Sequence, residues 1–95
     1  MWDVVGLDRP CVDVVVNVDS FPRPNGREPA QDIIFQCGGK AATGLCAASR
    51  LGAKCALMGT VGDDSRADLC AMDAQAFGVD ASRLLRRKGY ETSLS

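Results

Sequence analysis

The apolar residues at the start of this chain fall into short runs separated by glycine, proline and acidic residues. Trp2–Leu7 and the valine-rich Val12–Val18 are two such runs, and Asp32–Gln36 is a third. β-branched and aromatic side chains favour extended backbone, so each run predicts a strand. The segment between the second and third runs, Ser20–Pro29, contains three prolines and an Asn-Gly pair. Proline removes ladder donors and Asn-Gly favours turns, so this segment is expected to be a loop.

The spacing of apolar residues becomes helical after the glycine pair Gly38-Gly39. From Lys40 to Leu51, small and apolar residues recur three and four positions apart, which predicts a helix able to pack closely on a sheet. Gly52 then stands where a left-handed C-cap is favoured. The apolar run Cys55–Gly59 predicts a buried strand.

A second helix is expected to begin at Asp64-Ser65 and to end at Gly78. Ser65 and Asp68 have the spacing of a capping box. The apolar stripe expected on this helix consists of Leu69, Met72 and Ala76.

The last third of the chain carries weaker signals. Val79–Lys88 is interpreted as the start of a strand followed by a short turn or helix, and Tyr90–Ser95 as the beginning of a further β-like run. Strands that alternate with helices favour a parallel sheet with crossover helices, whereas the early β segments favour a small antiparallel flap, roughly residues 14–36. The fold class is therefore predicted to be α/β.

Composition excludes several classes of function. The 95 residues carry a net charge of −1 with interspersed signs, so no electrostatic footprint for nucleic acid or an anionic membrane is present. The one basic cluster, Arg86-Arg87-Lys88, is interpreted as a solvated helix end. No apolar run approaches the ~20 residues that span a bilayer, and no secretory signal is evident, so a cytoplasmic location is expected.

The five cysteines give no metal or nucleophile signature. They are odd in number, contain no CxxC pair and are accompanied by no histidine. Zinc spacing is absent, and a histidine-assisted nucleophile cannot be built from this chain. Most of them lie among Ala, Val and Leu, where cysteine behaves as a small buried hydrophobe.

Gly38-Gly39-Lys40 suggests a backbone that a ligand can approach closely at a helix N-terminus. A P-loop is the obvious rival, but the lysine is followed by Ala41, and Ile34 stands where the motif needs its first glycine. A dinucleotide fingerprint would need GxGxxG after the first strand, which Gly6-Leu7-Asp8 does not supply. Taken alone, the glycine pair is equally compatible with a structural turn.

The joint pattern resembles the ribokinase family, the PfkB-type carbohydrate kinases. The segments similar to the family's N-terminal signature are Val4-Val5-Gly6 followed by Asp13, the flap turn Phe21–Glu28, Gly38–Thr43 before an Ala-rich helix, Arg50–Ala53, and Gly59–Asp64. This resemblance covers nearly all of the chain and implies a partial ribokinase-like three-layer α/β/α domain with a small β flap, or lid. Residues 1–95 are then expected to be the N-terminal part of a kinase domain truncated at its C-terminus.

The resemblance implies substrate-binding roles for Asp13, Gly38, Gly39, Lys40 and Thr43. A carboxylate at position 13 can accept hydrogen bonds from two adjacent sugar hydroxyls, whereas Lys40 is equally compatible with a solvated position. Thr43 stands where the family usually has asparagine, which leaves the identity of the substrate open. No catalytic and no metal-binding residue is assigned, and Asp63-Asp64 is expected to serve helix capping.

What the resemblance implies for the parent protein is an ATP-dependent kinase that phosphorylates a hydroxyl of a sugar, sugar derivative or nucleoside. ATP and Mg²⁺ are implied for that parent, and the 95-residue chain alone is expected to be inactive. The alternative is a non-catalytic module that binds a ligand or forms a homodimer through its flap.

Overall fold

The computed structural model describes all residues, 1–95, and contains six strands and two helices. In chain order the elements are β1 (Val4–Asp8), β2 (Cys11–Val18), β3 (Ala30–Gly38), α1 (Lys40–Arg50), β4 (Cys55–Gly62), α2 (Ser65–Ala76), β5 (Asp80–Arg87) and β6 (Ser93–Leu94). They form two three-stranded sheets, one in the order β1-β4-β5 and the other in the order β3-β2-β6. No helix has the length and apolar character needed to cross a bilayer.

The first sheet is parallel throughout and carries the helices. β4 is its central strand and pairs with β1 on one side and β5 on the other. Both helices pack on the face where Cys55 and Leu57 point, and Leu45 of α1 and Ala74 of α2 join them in one buried cluster. The predicted α/β architecture with crossover helices is confirmed, and the core lies between this sheet and its helices.

The opposite face of the parallel sheet is open to solvent. Residues paired in register share a face of a parallel sheet, so Leu7 and Met58 stand side by side there, with Val5 preceding them on β1. Leu7 is 81% exposed and Leu85 of β5 is 65% exposed. The chain therefore contains one helical layer and the sheet, with an apolar sheet face left uncovered.

The second sheet, called the flap sheet below, confirms the predicted antiparallel flap. β2 pairs with β3 in antiparallel register from Cys11↔Gly38 outward, and β6 adds a short parallel strand beside β2. Only one end of this sheet, where Cys11 and Val12 pair with Gly38 and Cys37, packs against the rest of the chain, and Val12 is buried there. This end is called the root of the flap sheet below. From Asn17 to Gln36 every residue except Glu28 is exposed. The flap therefore extends away from the core instead of lying on it.

The last third of the chain departs from the sequence-based interpretation. β4 runs on to Gly62 instead of ending near Gly59, and Asp80–Arg87 is a full strand with no turn or helix in it. The basic cluster at 86–88 thus begins on a strand, where Arg86 forms an ion pair with Asp68 of α2 at 2.6 Å. Residues 80–87 form a strand because β4 supplies their ladder hydrogen bonds. Their own sequence is too polar to predict a strand without that partner.

The second helix begins where the sequence predicts, but its capping box and its buried face differ from the prediction. Its N-cap is Asp64, whose Oδ1 accepts a hydrogen bond from the Ala67 amide at 2.9 Å, so the proposed Ser65–Asp68 capping box is wrong. Its buried face consists of small residues, namely Ala67, Cys70 and Ala74, while the predicted stripe of Leu69, Met72 and Ala76 is exposed. Small side chains let α2 approach its neighbours closely, which decides the buried face.

Candidate functional site

An open cleft of about 720 Å³ lies between the root of the flap sheet and the N-terminus of α1. All five residues singled out in the sequence line it, although they come from β2, the end of β3 and the first turn of α1. The lining residues are Cys11, Asp13, Gln36, Cys37, Gly38, Gly39, Lys40 and Thr43. The structure thus brings the candidate residues together, whereas their role in binding a substrate stays a prediction.

Asp13 presents its carboxylate to this cleft beside Gly38. The hydrogen bond recorded to it comes from the Cys11 thiol, with Sγ 3.4 Å from Oδ1, a long and weak contact. Burial raises the pKa of Cys11, and the Asp13 carboxylate raises it further, so the thiol stays protonated and donates. Most of the acceptor capacity of the Asp13 carboxylate is therefore free for a ligand.

Gly38 has no room for a side chain because the Asp13 carboxylate occupies that space. A Cβ at Gly38 would lie 2.6 Å from Asp13 Oδ2 and 3.2 Å from Cys11 Sγ. The register of the flap sheet pairs Cys11 with Gly38 and Asp13 with Gln36, which places all four on one face. The glycine therefore leaves the space that the Asp13 carboxylate occupies beside the β3 backbone.

Gly39 forms the junction between β3 and α1. It is the N-cap of the helix, with φ of 114°, in the region that favours glycine, and it supplies no capping side chain. The cap comes from Asp8, at the end of β1, whose Oδ2 accepts a hydrogen bond from the Ala42 amide at 3.0 Å. A Cβ at Gly39 would lie 2.6 Å from that same oxygen. Both glycines of the pair are thus required by carboxylates packed against them.

Lys40 and Thr43 occupy the first turn of α1 and face the cleft one helical turn apart. Both are exposed, and neither side chain has a hydrogen bond or ion pair in the structure. Their ammonium and hydroxyl groups are thus available to a ligand, and Thr43 is also part of the wall of a neighbouring cavity.

That neighbouring cavity has a volume of about 120 Å³ and lies between α1, α2 and the root of the flap sheet. It is mostly apolar, and three of its lining residues are the thiols Cys37, Cys46 and Cys70. Burial raises the pKa of Cys70 to about 12, with the nearby Cys37 thiol adding to the effect. Burial likewise raises the pKa of Cys37 and of Cys46. These thiols stay protonated at neutral pH, as expected of cysteines that serve as small hydrophobes.

No group of three or more His, Cys, Asp or Glu side chains converges in a way that could hold a metal ion. Asp64 is engaged as the N-cap of α2, and both its oxygens accept hydrogen bonds from Thr92. Asp63 is exposed beside it. The expectation that this acidic pair serves capping is confirmed for Asp64.

Four residues of the site were missed by sequence reasoning, namely Cys11, Gln36, Cys37 and Asp8. Cys11 and Gln36 could have been found, because they share a strand face with Asp13 and Gly38 once strand pairing is assumed. Asp8 had a subtler signal. A helix whose N-cap is Gly39 lacks a capping side chain, and a carboxylate at the end of a neighbouring strand is the natural substitute.

Comparison with known proteins gives this cleft a family context. The profile of the pfkB family carbohydrate kinases matches residues 1–95, the whole chain. The chain belongs to the pfkB family of carbohydrate kinases. Among curated relatives, ketohexokinase of Mus musculus is 30% identical over 84 residues, which are 88% of this chain and 28% of the relative.

Solved structures agree with the pfkB assignment at the level of the fold. The PfkB protein from Polaromonas sp. JS666 superposes with a TM-score of 0.81 at 20% identity, covering 99% of this chain and 30% of the other. Arabidopsis thaliana ribokinase, solved in complex with ribose and ATP, superposes with a TM-score of 0.79 at 20% identity, covering 95% and 30%. This pfkB-family chain therefore spans about 30% of the length of these proteins.

Proposed function

We propose that this chain is the N-terminal, substrate-side part of an ATP-dependent kinase that phosphorylates a hydroxyl of a sugar, sugar derivative or nucleoside. The observation that carries the proposal is the convergence of Asp13, Gly38, Gly39, Lys40 and Thr43 on one cleft in a chain of the pfkB family. The cytoplasmic location expected from the sequence stays a prediction.

The chemistry of the cleft suits a polyhydroxylated ligand. The Asp13 carboxylate has free acceptor sites for two adjacent hydroxyls, and Gly38 leaves the space that this carboxylate occupies in the cleft. Lys40 and the Thr43 hydroxyl add donors, and threonine can also accept. A site built to hydrogen-bond hydroxyl groups discriminates strongly against analogues that lack them. Binding and orienting the acceptor is the part of the reaction that these residues perform.

The residues that line the cleft do not form a site for Mg²⁺ or for the phosphates of a nucleotide. The cleft has one carboxylate instead of a set of oxygen ligands, no metal cluster is present, and the first turn of α1 is already occupied by Asp8. ATP, Mg²⁺ and the catalytic base are therefore assigned to parts of the kinase outside residues 1–95. The apolar face of the parallel sheet that includes Val5 and Leu7 is uncovered, which supports the proposal that those further parts of the kinase pack on it.

The kinase proposal is tested by Asp13→Asn in the whole protein, assayed with Mg-ATP against a panel of pentoses, hexoses and nucleosides. Hydrogen bonds to a charged group contribute about 1.5–3 kcal/mol each, so kcat/KM for the preferred substrate should fall at least ~10-fold. Asp19→Asn is the matched control, because Asp19 is an exposed carboxylate of the flap that accepts a hydrogen bond from Gln31 and does not line the cleft. Equal losses in both variants, or no phosphorylation of any member of the panel, would contradict the proposal.

The alternative function, a non-catalytic module that dimerises through its flap, is supported by one observation. The flap sheet exposes large apolar side chains, among them Ile33 and Phe35, which is 63% exposed. Light scattering after size exclusion should give twice the chain mass, and Ile33→Lys should restore the monomer. Gln31→Lys, on the same exposed strand, is the control. A monomeric wild-type protein would leave the flap without this role.

A further inference from the structure

The carboxylate of Asp8 seals the N-terminus of the helix that borders the cleft. Its Oδ2 accepts a hydrogen bond from the Ala42 amide at 3.0 Å, across 34 residues of sequence. Its Oδ1 accepts one from the Arg9 amide at 2.7 Å. The same carboxylate lies where a Cβ of Gly39 would be. One side chain therefore fixes the positions of the Gly39 backbone and of the first turn of α1.

This arrangement also sets the electrostatic character of the cleft. A free helix N-terminus attracts anions through its unpaired amides and the helix dipole. Here the Asp8 carboxylate already occupies that position, and the Asp13 carboxylate lies in the cleft itself. Lys40 is the only cationic side chain among the lining residues. Near the α1 N-terminus the cleft is therefore unfavourable for a phosphate and well suited to neutral hydroxyl groups.

We propose that Asp8 is a positioning and specificity residue: it holds the Gly39–Ala42 backbone in place and restricts this end of the cleft to an uncharged, hydroxyl-bearing part of the substrate, excluding sugar phosphates. The inference rests on the proposed function, since it specifies which acceptors the cleft takes. On this proposal Asp8 distinguishes two classes of acceptor: free sugars or nucleosides, and their phosphorylated derivatives. The two roles of Asp8, geometry and charge, respond differently to substitution.

Two variants separate those roles. Asp8→Asn keeps an oxygen that can accept from the Ala42 amide, because asparagine caps helices about as well as aspartate, but it removes the charge. Asp8→Ala removes both. Asp3→Asn is the matched control, since Asp3 Oδ2 accepts from the Lys54 amide at 2.8 Å at the opposite end of β1. It carries the same charge change far from the cleft.

The binding experiment titrates inorganic phosphate, and separately a pentose 5-phosphate, into each protein while the amide resonances of residues 39–42 are followed by NMR. A charge at a helix N-terminus changes an anion's affinity by roughly 2- to 30-fold. Asp8→Asn should bind both anions at least ~3-fold more tightly than wild type and Asp3→Asn. Equal anion affinity in Asp8→Asn and wild type would overturn the charge role.

Kinetics test the positioning role. Asp8→Ala should raise KM for a neutral substrate at least ~10-fold with a smaller change in kcat, because misplaced Gly39 and Lys40 weaken binding. Asp8→Asn should restore KM to within ~3-fold of wild type. An unchanged KM in Asp8→Ala would overturn the positioning role. If Asp8→Ala does not fold, the KM of Asp8→Asn decides the question. A KM raised tenfold in that variant would overturn the positioning role. The phosphate titration does not depend on phosphoryl transfer, so its result stays valid even if the kinase proposal fails.

Discussion

Thr92 offers the sharpest test of how this fold is held together. The residue is 3% exposed and precedes the short strand β6. Its hydroxyl accepts a hydrogen bond from the Gly62 amide at 2.9 Å and donates one to Asp64 Oδ1 at 2.7 Å. It thus joins the end of β4, the N-cap of α2 and the approach to β6. Thr92→Val keeps the shape of the side chain and removes the hydroxyl.

The expected cost follows from the partners that the valine would abandon. Gly62 is buried, so its amide would be left without an acceptor, which costs about 1–3 kcal/mol. Asp64 keeps its hydrogen bonds from the amides of Thr92 and Ala67, so the α2 cap survives. We expect Thr92→Val to lower the free energy of unfolding by about 2 kcal/mol. Thr92→Ser, which keeps the hydroxyl and loses one methyl group, should cost about 1 kcal/mol.

The pH dependence gives a second readout of the same contact. Hydrogen bonds from the Thr92 amide, and next from its hydroxyl, lower the pKa of Asp64 to about 2 from 3.8. A carboxyl whose folded pKa is depressed stabilises the fold fully above its ordinary pKa. That contribution is lost as the pH falls from about 4 to about 2. Allowing for the partial exposure of the Asp64 side chain, the contribution is about 1–2 kcal/mol.

Urea unfolding of the three proteins at pH 7, and NMR titration of the Asp64 side chain, check both readouts. In Thr92→Val the Asp64 pKa should rise toward its ordinary value, and the acid loss of stability should shrink. Thr92→Ser should keep the wild-type titration. The reasoning would be refuted if Thr92→Val were as stable as wild type, or if valine and serine variants titrated alike.

Three further predictions concern single positions. Gly38→Ala should raise KM for the substrate at least ~10-fold, because its Cβ would lie 2.6 Å from an Asp13 carboxylate oxygen; an unchanged KM would contradict this. Gly44→Ala and Gly52→Ala both add a methyl group to open space, yet Gly52 has φ of 100°. In urea unfolding, Gly44→Ala should raise the free energy of unfolding by about 0.5–1 kcal/mol, and Gly52→Ala should lower it by about 1–2 kcal/mol. A change of the same sign in both variants would refute the argument. Cys70, whose pKa is raised to about 12, should resist iodoacetamide at pH 8 until the chain is unfolded. Mass spectrometry that finds Cys70 labelled equally in the native and the unfolded chain would contradict this prediction.

The sequence alone determined the elements whose signals are local. Valine runs, prolines and helical spacing predicted β2, the flap loop and α1, and the glycine at position 52 marked the end of that helix correctly. Its motifs also selected five residues that converge on one cleft. These features depend on near neighbours in the chain, because backbone preferences and turn chemistry act over a few residues.

Features that depend on partners distant in the sequence were evident only in the folded chain. Asp80–Arg87 became a strand because β4 offers it a ladder, and α2 buried its small residues because close neighbours leave no space for Met72, which is 65% exposed. Asp8 caps a helix 34 residues away, and Asp64 is held by Thr92 across 28 residues. The spacing of residues along the chain does not identify the partners of such hydrogen bonds, since a carboxylate accepts from whichever amide folding places within its reach.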